Sequence, residues 1–138
     1  LHSRCGGRFP LWLEEGLALR LGWEAMQSYK QMMGWRLVRR RLPVDPEALA
    51  AAAGFLDYDR YPAGEPEIRA FYRLSSEMVG ALTEELGRDR FRLFVRETCA
   101  QGRSWRSTLS EQFGLDEAAL NMLCEEALTR AAQESEQE

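Results

Sequence analysis

The sequence predicts a single all-α domain of six or seven helices. Three observations carry that expectation. Apolar residues return every three or four positions along most of the chain, the spacing of one helix face. Helix-start and helix-stop residues punctuate that pattern at short intervals. No run of alternating Val, Ile or Thr stands between turn signals, so no strand is expected. With 138 residues, 45% of them hydrophobic and 29% charged, the chain can bury one real core and has a globular balance.

Taken in order, residues 1–8 hold Cys5-Gly6-Gly7-Arg8, a turn or loop. A helix is expected from about Pro10 to Leu21, with Pro10 at its first position, where the missing N–H costs nothing. Glu14 and Glu15 lie in its first turns, where the helix dipole favours negative charge. Leu13, Leu17 and Leu21 form its apolar stripe. Gly22 is expected to end or bend it. A second helix then covers Trp23 to Arg41, with Met26, Tyr29, Met33 and Leu37 on one face and Gly34 as a weak point. Asp45 and Pro46 are a fitting N-cap and first residue for a short helix ending near Gly54. Residues 54–65 read as an aromatic and acidic loop, long enough to carry a role. A long helix runs from about Pro66 to Leu86, closed by Gly87, with Ile68, Phe71, Tyr72, Ser75, Val79 and Leu82 inward. The next, Arg88 to Ala100, turns Phe91, Phe94, Val95 and Thr98 inward. Ser104 caps Trp105–Phe113, which Gly114 stops, and Asp116 caps a last helix with Leu120, Leu123, Cys124, Ala127 and Leu128 inward. The tail 133–138 is polar, acidic and expected to fray.

Composition narrows the function classes. A net charge of −4 exerts no general pull toward nucleic acid or anionic membranes. The basic run Trp35–Arg41 reads as a solvated face in so acidic a chain. No stretch approaches 18 consecutive apolar residues, so no membrane span is expected. Cys5, Cys99 and Cys124 are odd in number and widely spaced, without a C-x-x-C, which argues against a disulfide framework or a zinc knuckle. Cys99 and Cys124 read as small core residues. Asp57 and Asp59 in the 54–65 loop lack the EF-hand spacing, which argues against calcium.

One stretch is less ordinary than the rest. Pro10-Leu11-Trp12-Leu13-Glu14-Glu15-Gly16-Leu17-Ala18 resembles the Pro-x-Trp-Leu-x-Glu-Gly-Leu-Ala segment that follows the H-E-x-x-H helix in gluzincin zinc metallopeptidases, the peptidase MA-like families above all. The resemblance continues at pattern level through Pro43–Leu49, Tyr72-Arg73-Leu74-Ser75, Leu86-Gly87 and Phe113-Gly114-Leu115-Asp116. It implies that Glu15 is the third zinc ligand, with Glu14 at the variable position. It implies Tyr72 as the candidate donor to a developing oxyanion, with a half-buried core tyrosine as the bland alternative. Pro10, Trp12 and Gly16 would be structural members of the motif. A glycine after the ligand lets another backbone come close.

A catalytic zinc needs three protein ligands and an open position for water. The chain has one histidine, His2, and no H-E-x-x-H. His2 stands thirteen residues before Glu15, short for the family spacing, and reads as a loop or helix-end residue rather than a ligand. The expectation is therefore the C-terminal half, residues 1–138, of a longer metallopeptidase-like catalytic domain. An upstream segment would supply two histidines and the general base, and a peptide or protein would be the substrate. Zinc is implied for the whole site and not for this part alone. Apolar surface left by the missing half could drive self-association. The alternative is a non-catalytic helical interaction or scaffolding domain, whose Trp and Met faces serve packing or a partner.

Overall fold

The computed structural model describes residues 9–32, 44–101 and 104–136. They form six helices: α1 (Leu11–Met32), α2 (Pro46–Ala53), α3 (Glu65–Leu86), α4 (Arg88–Gln101), α5 (Trp105–Phe113) and α6 (Glu117–Glu136). No strand occurs among the described residues. The domain is all-α, as the periodicity predicts.

Helix α3 is the axis. α1, α2, α4 and α6 all pack on it. Residues 74–82 of α3 are buried without interruption, so this stretch has no solvent face. A helix enclosed on every side must be apolar or have its polar groups satisfied. Leu74, Met78, Val79, Ala81 and Leu82 meet the first condition. Ser75 meets the second by donating to the Phe71 carbonyl at 2.7 Å. Around α3 the core is continuous, from Phe9, Trp12 and Leu13 through Phe71 and Leu74 to Phe94, Leu109, Leu120 and Ala127.

The helix ends are set by local chemistry. Asp45 accepts from the Glu47 N–H at 3.3 Å at the start of α2. Ser104 accepts from the Ser107 N–H at 3.1 Å at the start of α5, and Asp116 from the Ala119 N–H at 2.9 Å at the start of α6. α5 stops where Gly114 takes a left-handed φ of 73°, a conformation that costs a residue with a Cβ about 1 kcal/mol or more.

Two boundaries differ from expectation. α1 runs unbroken through Gly22 to Met32 instead of ending there. Glycine lowers helix propensity by only about 1 kcal/mol, and docking along α3 outweighs that. At the other end Pro10 precedes the helix, its carbonyl accepting from the Glu14 N–H at 3.1 Å, which makes it the cap residue rather than the first helical one. The backbone of α6 is helical to Glu136, four residues into the tail. His2, Cys5, Pro43, the inward positions Met33 and Leu37 and the basic run Trp35–Arg41 lie outside the described residues, as do the side chains of Met26 and Tyr29.

The cysteines depart from the sequence reading. Cys124 is free and half-buried, but Cys99 is disulfide-bonded, its partner lying outside the described residues. Separation along the chain says little about separation in space, which is why spacing alone argued the other way. Burial pushes the Cys124 thiol up, while the nearby Arg106 works in the opposite sense.

Candidate functional site around Glu15

Adjacent helical residues point about 100° apart. Trp12, Leu13 and Gly16 take the core-facing side of α1 and are buried. Glu15 therefore falls on the flank of the helix, half-buried. Glu14 falls on the opposite flank, also half-buried. The two carboxylates do not share a direction.

What Glu15 meets comes from the loop after α2. The Tyr61 hydroxyl donates to Glu15 Oε1. No other hydrogen bond or ion pair engages the carboxylate among the described residues. The Tyr61 ring stands edge-on to two rings of α3, Phe71 at 6.0 Å and Tyr72 at 5.9 Å. Such edge-to-face pairs place the positive ring edge against the negative face of the neighbour. One carboxylate and two phenols, from three separate elements, thus converge. The hydrogen bond to Glu15 pushes the Tyr61 phenol well above its ordinary value. Desolvation, the Glu15 charge and Tyr72 add in the same direction. Tyr61 is therefore a protonated donor throughout the neutral range.

The placement of Glu15 depends on how closely α1 approaches α3. A Cβ on Gly16 would overlap the Ser75 carbonyl oxygen and stand 2.9 Å from its carbon. Only a residue without a side chain lets the two backbones meet there. One turn on, Arg20 Nε donates to the Ser76 carbonyl at 2.7 Å, and its guanidinium lies 3.9 Å from the Glu77 carboxylate. Glu77 is only 2% exposed, so an approaching cation offsets part of the cost of burying its charge. Gly80 leaves the space that the Arg20 guanidinium fills.

At the start of α1 lies Trp12, one of the structural members of the motif. It is fully buried, with its ring 5.1 Å from that of Trp105 at 77°. Arg106 lies over the Trp105 ring at 4.4 Å and donates to Asp57 at 2.9 Å. Asp57 is thereby engaged by a cation of the chain itself. It borders a cleft of about 360 Å³ with Tyr58, Asp59 and Trp105.

Among the described residues no group of three His, Cys, Asp or Glu side chains could hold a metal ion. The chemistry available at Glu15 is one half-buried carboxylate with one oxygen held by Tyr61. That fits one ligand of a zinc site and not a whole one. The structure brings together Glu15, Gly16 and Tyr72, which the motif reading singled out, and adds Tyr61, which it did not. The available signal for Tyr61 was its position in the one long aromatic loop. Comparison with protein families, curated proteins and solved structures finds no match to the chain.

Proposed function

We propose that this domain is the helical half of a zinc-dependent metallopeptidase, to which Glu15 contributes the third metal ligand and the surface around it one wall of the substrate cleft. The observation that carries the reading is the state of Glu15 within the Pro10–Ala18 motif. It is half-buried on the flank of α1, and a single donor holds one of its oxygens.

Two further features support it. Gly16 allows the backbone approach that the motif implies. The outward side of α1 around Glu15 is uncovered, with Ala18, Leu19 and Gly22 exposed, and a segment carrying the remaining ligands could pack there. Bound zinc would polarise a water for attack on a peptide carbonyl. The residues of this chain would hold the metal through the Glu15 carboxylate and offer the Tyr72 hydroxyl toward the developing oxyanion. Two histidines and a general base would come from another segment, since the chain has no H-E-x-x-H.

The test compares Glu15→Gln with Glu14→Gln in the full-length protein. Both changes keep size and helix propensity. Glu15→Gln removes the charge that helps hold Zn²⁺ and is expected to lower bound zinc and peptide turnover by orders of magnitude, with unchanged folding. Glu14→Gln is expected to leave bound zinc and peptide turnover near the wild-type level. Equal and mild effects on zinc would return both residues to the role of helix-start glutamates. They would favour the helical interaction domain instead.

A further inference from the structure

A groove runs between α1 and the start of α4, on the flank of α1 away from Glu15. Leu17 and Leu21 follow Glu15 by two and six positions, which turns them by roughly 200–240° around the helix. The groove encloses about 810 Å³. Its apolar side is made by Leu17 and the exposed Leu21 of α1, Val79 of α3 and Phe91 of α4. Its far wall carries Arg88 and Arg92. Arg96 extends the same row by one turn, since residues four apart share a helix face. All three arginines are exposed.

This row is costly as it stands. Like charges four residues apart on a helix repel. Arg88 is also the first residue of α4, where the helix dipole disfavours a cation. None of the three takes part in an ion pair or hydrogen bond among the described residues. Of the acids bordering the groove, Glu77 faces Arg20 and Glu84 is bonded by Arg130, which leaves Glu24 on the α1 wall. Two uncompensated guanidinium groups thus stand beside an apolar floor, in a chain whose net charge is −4.

We infer that this groove docks an acidic amphipathic helix of a partner protein. Guanidinium forks match carboxylates in paired, charge-assisted hydrogen bonds. The four-residue spacing of the row is also that of glutamates along one helix face. The apolar side calls for leucine-type side chains on the adjoining face, the arrangement of a helix laid into a groove. A phosphate backbone would satisfy the arginines but leave Leu17 and Leu21 uncovered. The site lies apart from Glu15 and does not depend on the zinc reading.

The experiment titrates the full-length protein into a fluorescently labelled synthetic helical peptide and follows anisotropy. The peptide has leucines on one face and glutamates four residues apart beside them. A second peptide has lysine in place of each glutamate. Wild type is expected to bind the glutamate peptide saturably and not the lysine peptide. Arg88→Glu/Arg92→Glu is expected to weaken glutamate-peptide binding at least about tenfold, as charge-assisted bonds give way to repulsion, and to gain the lysine peptide. Its melting temperature is expected to hold or rise, because a carboxylate suits the start of α4. Should the melting temperature fall, the lysine peptide still decides: its binding supports direct pairing, and failure to bind overturns it. Leu21→Asp is expected to weaken the glutamate peptide, and Arg69→Glu, at an exposed position elsewhere on α3, to leave it as in wild type. Full affinity in Leu21→Asp, or equal weakening in Arg69→Glu, would reduce the contact to general charge attraction and overturn the groove as the site. So would glutamate-peptide binding weaker than about 1 mM in wild type. Tighter binding of a DNA duplex than of the peptide would assign the row to phosphates and overturn the inference.

Discussion

At the scale of single residues, burial and partnership part company at Thr98 and Thr108. Both are fully buried. The Thr108 hydroxyl donates to the Ser104 carbonyl at 3.2 Å, the usual outlet for a helical threonine. Among the described residues the Thr98 hydroxyl has no partner. A buried polar group without a hydrogen bond costs about 1–3 kcal/mol, and its removal at constant volume recovers part of that. Thr98→Val is therefore expected to stabilise the domain by about 1 kcal/mol. Thr108→Val, which gives up a made bond, is expected to be neutral or destabilising. Urea denaturation of the two variants checks the sign, and a loss of stability in Thr98→Val would mean that its hydroxyl has a partner in solution. Residues of this kind are where the sequence was least legible. Thr98 can be read as inward-facing from its spacing to Phe91 and Phe94, but nothing in its neighbours says whether its hydroxyl is satisfied. The same holds for Tyr61 and Glu15, which are 46 residues apart and meet only because α3 carries the loop back to α1.

At the scale of elements, caps were legible and junctions were not. Asp45, Ser104 and Asp116 cap the helices that their types and neighbours indicate, because capping is a bond between residues two or three apart. Gly22 misled because its effect on α1 is decided by α3, not by its neighbours. The two glycines of α1 make the distinction measurable. A Cβ at Gly16 meets the backbone of Ser75 and a methyl of Val79, and backbone cannot step aside as a flexible side chain can. Gly16→Ala is expected to push α1 from α3 and cost about 1–3 kcal/mol, the range for overpacking a tight contact. A Cβ at Gly22 meets nothing within 4 Å. Gly22→Ala is expected to add about 0.5–1 kcal/mol through better helix propensity. Thermal melts of both variants test the pair together. If Gly16→Ala were neutral, the close approach of the two helices would not be what places Glu15.

At the scale of the whole molecule, the described helices share one core, whereas the proposed zinc site needs ligands they do not supply. Among the described residues α1, α2, α4 and α6 pack on α3 and α5 packs on α4, around a continuous core. The site it presents is one carboxylate, and no cluster of three metal-binding side chains exists among the described residues. Zinc held by a single carboxylate is a weak, hydrated complex, because the remaining ligand positions stay with water. It also lacks the general base that an activated water requires. The isolated 138-residue chain is therefore expected to fold cooperatively, bind zinc only weakly and hydrolyse no peptide. Calorimetric unfolding, zinc titration and a fluorogenic peptide assay on the same preparation check the three parts separately. Zinc-dependent hydrolysis by this chain alone would mean that its own residues assemble a full ligand set, and Glu15 would then belong to a site of different composition from the one proposed. Failure to unfold cooperatively would instead locate part of the core in a segment that packs on α1. The uncovered Ala18, Leu19 and Gly22 side of that helix is where such a segment would sit.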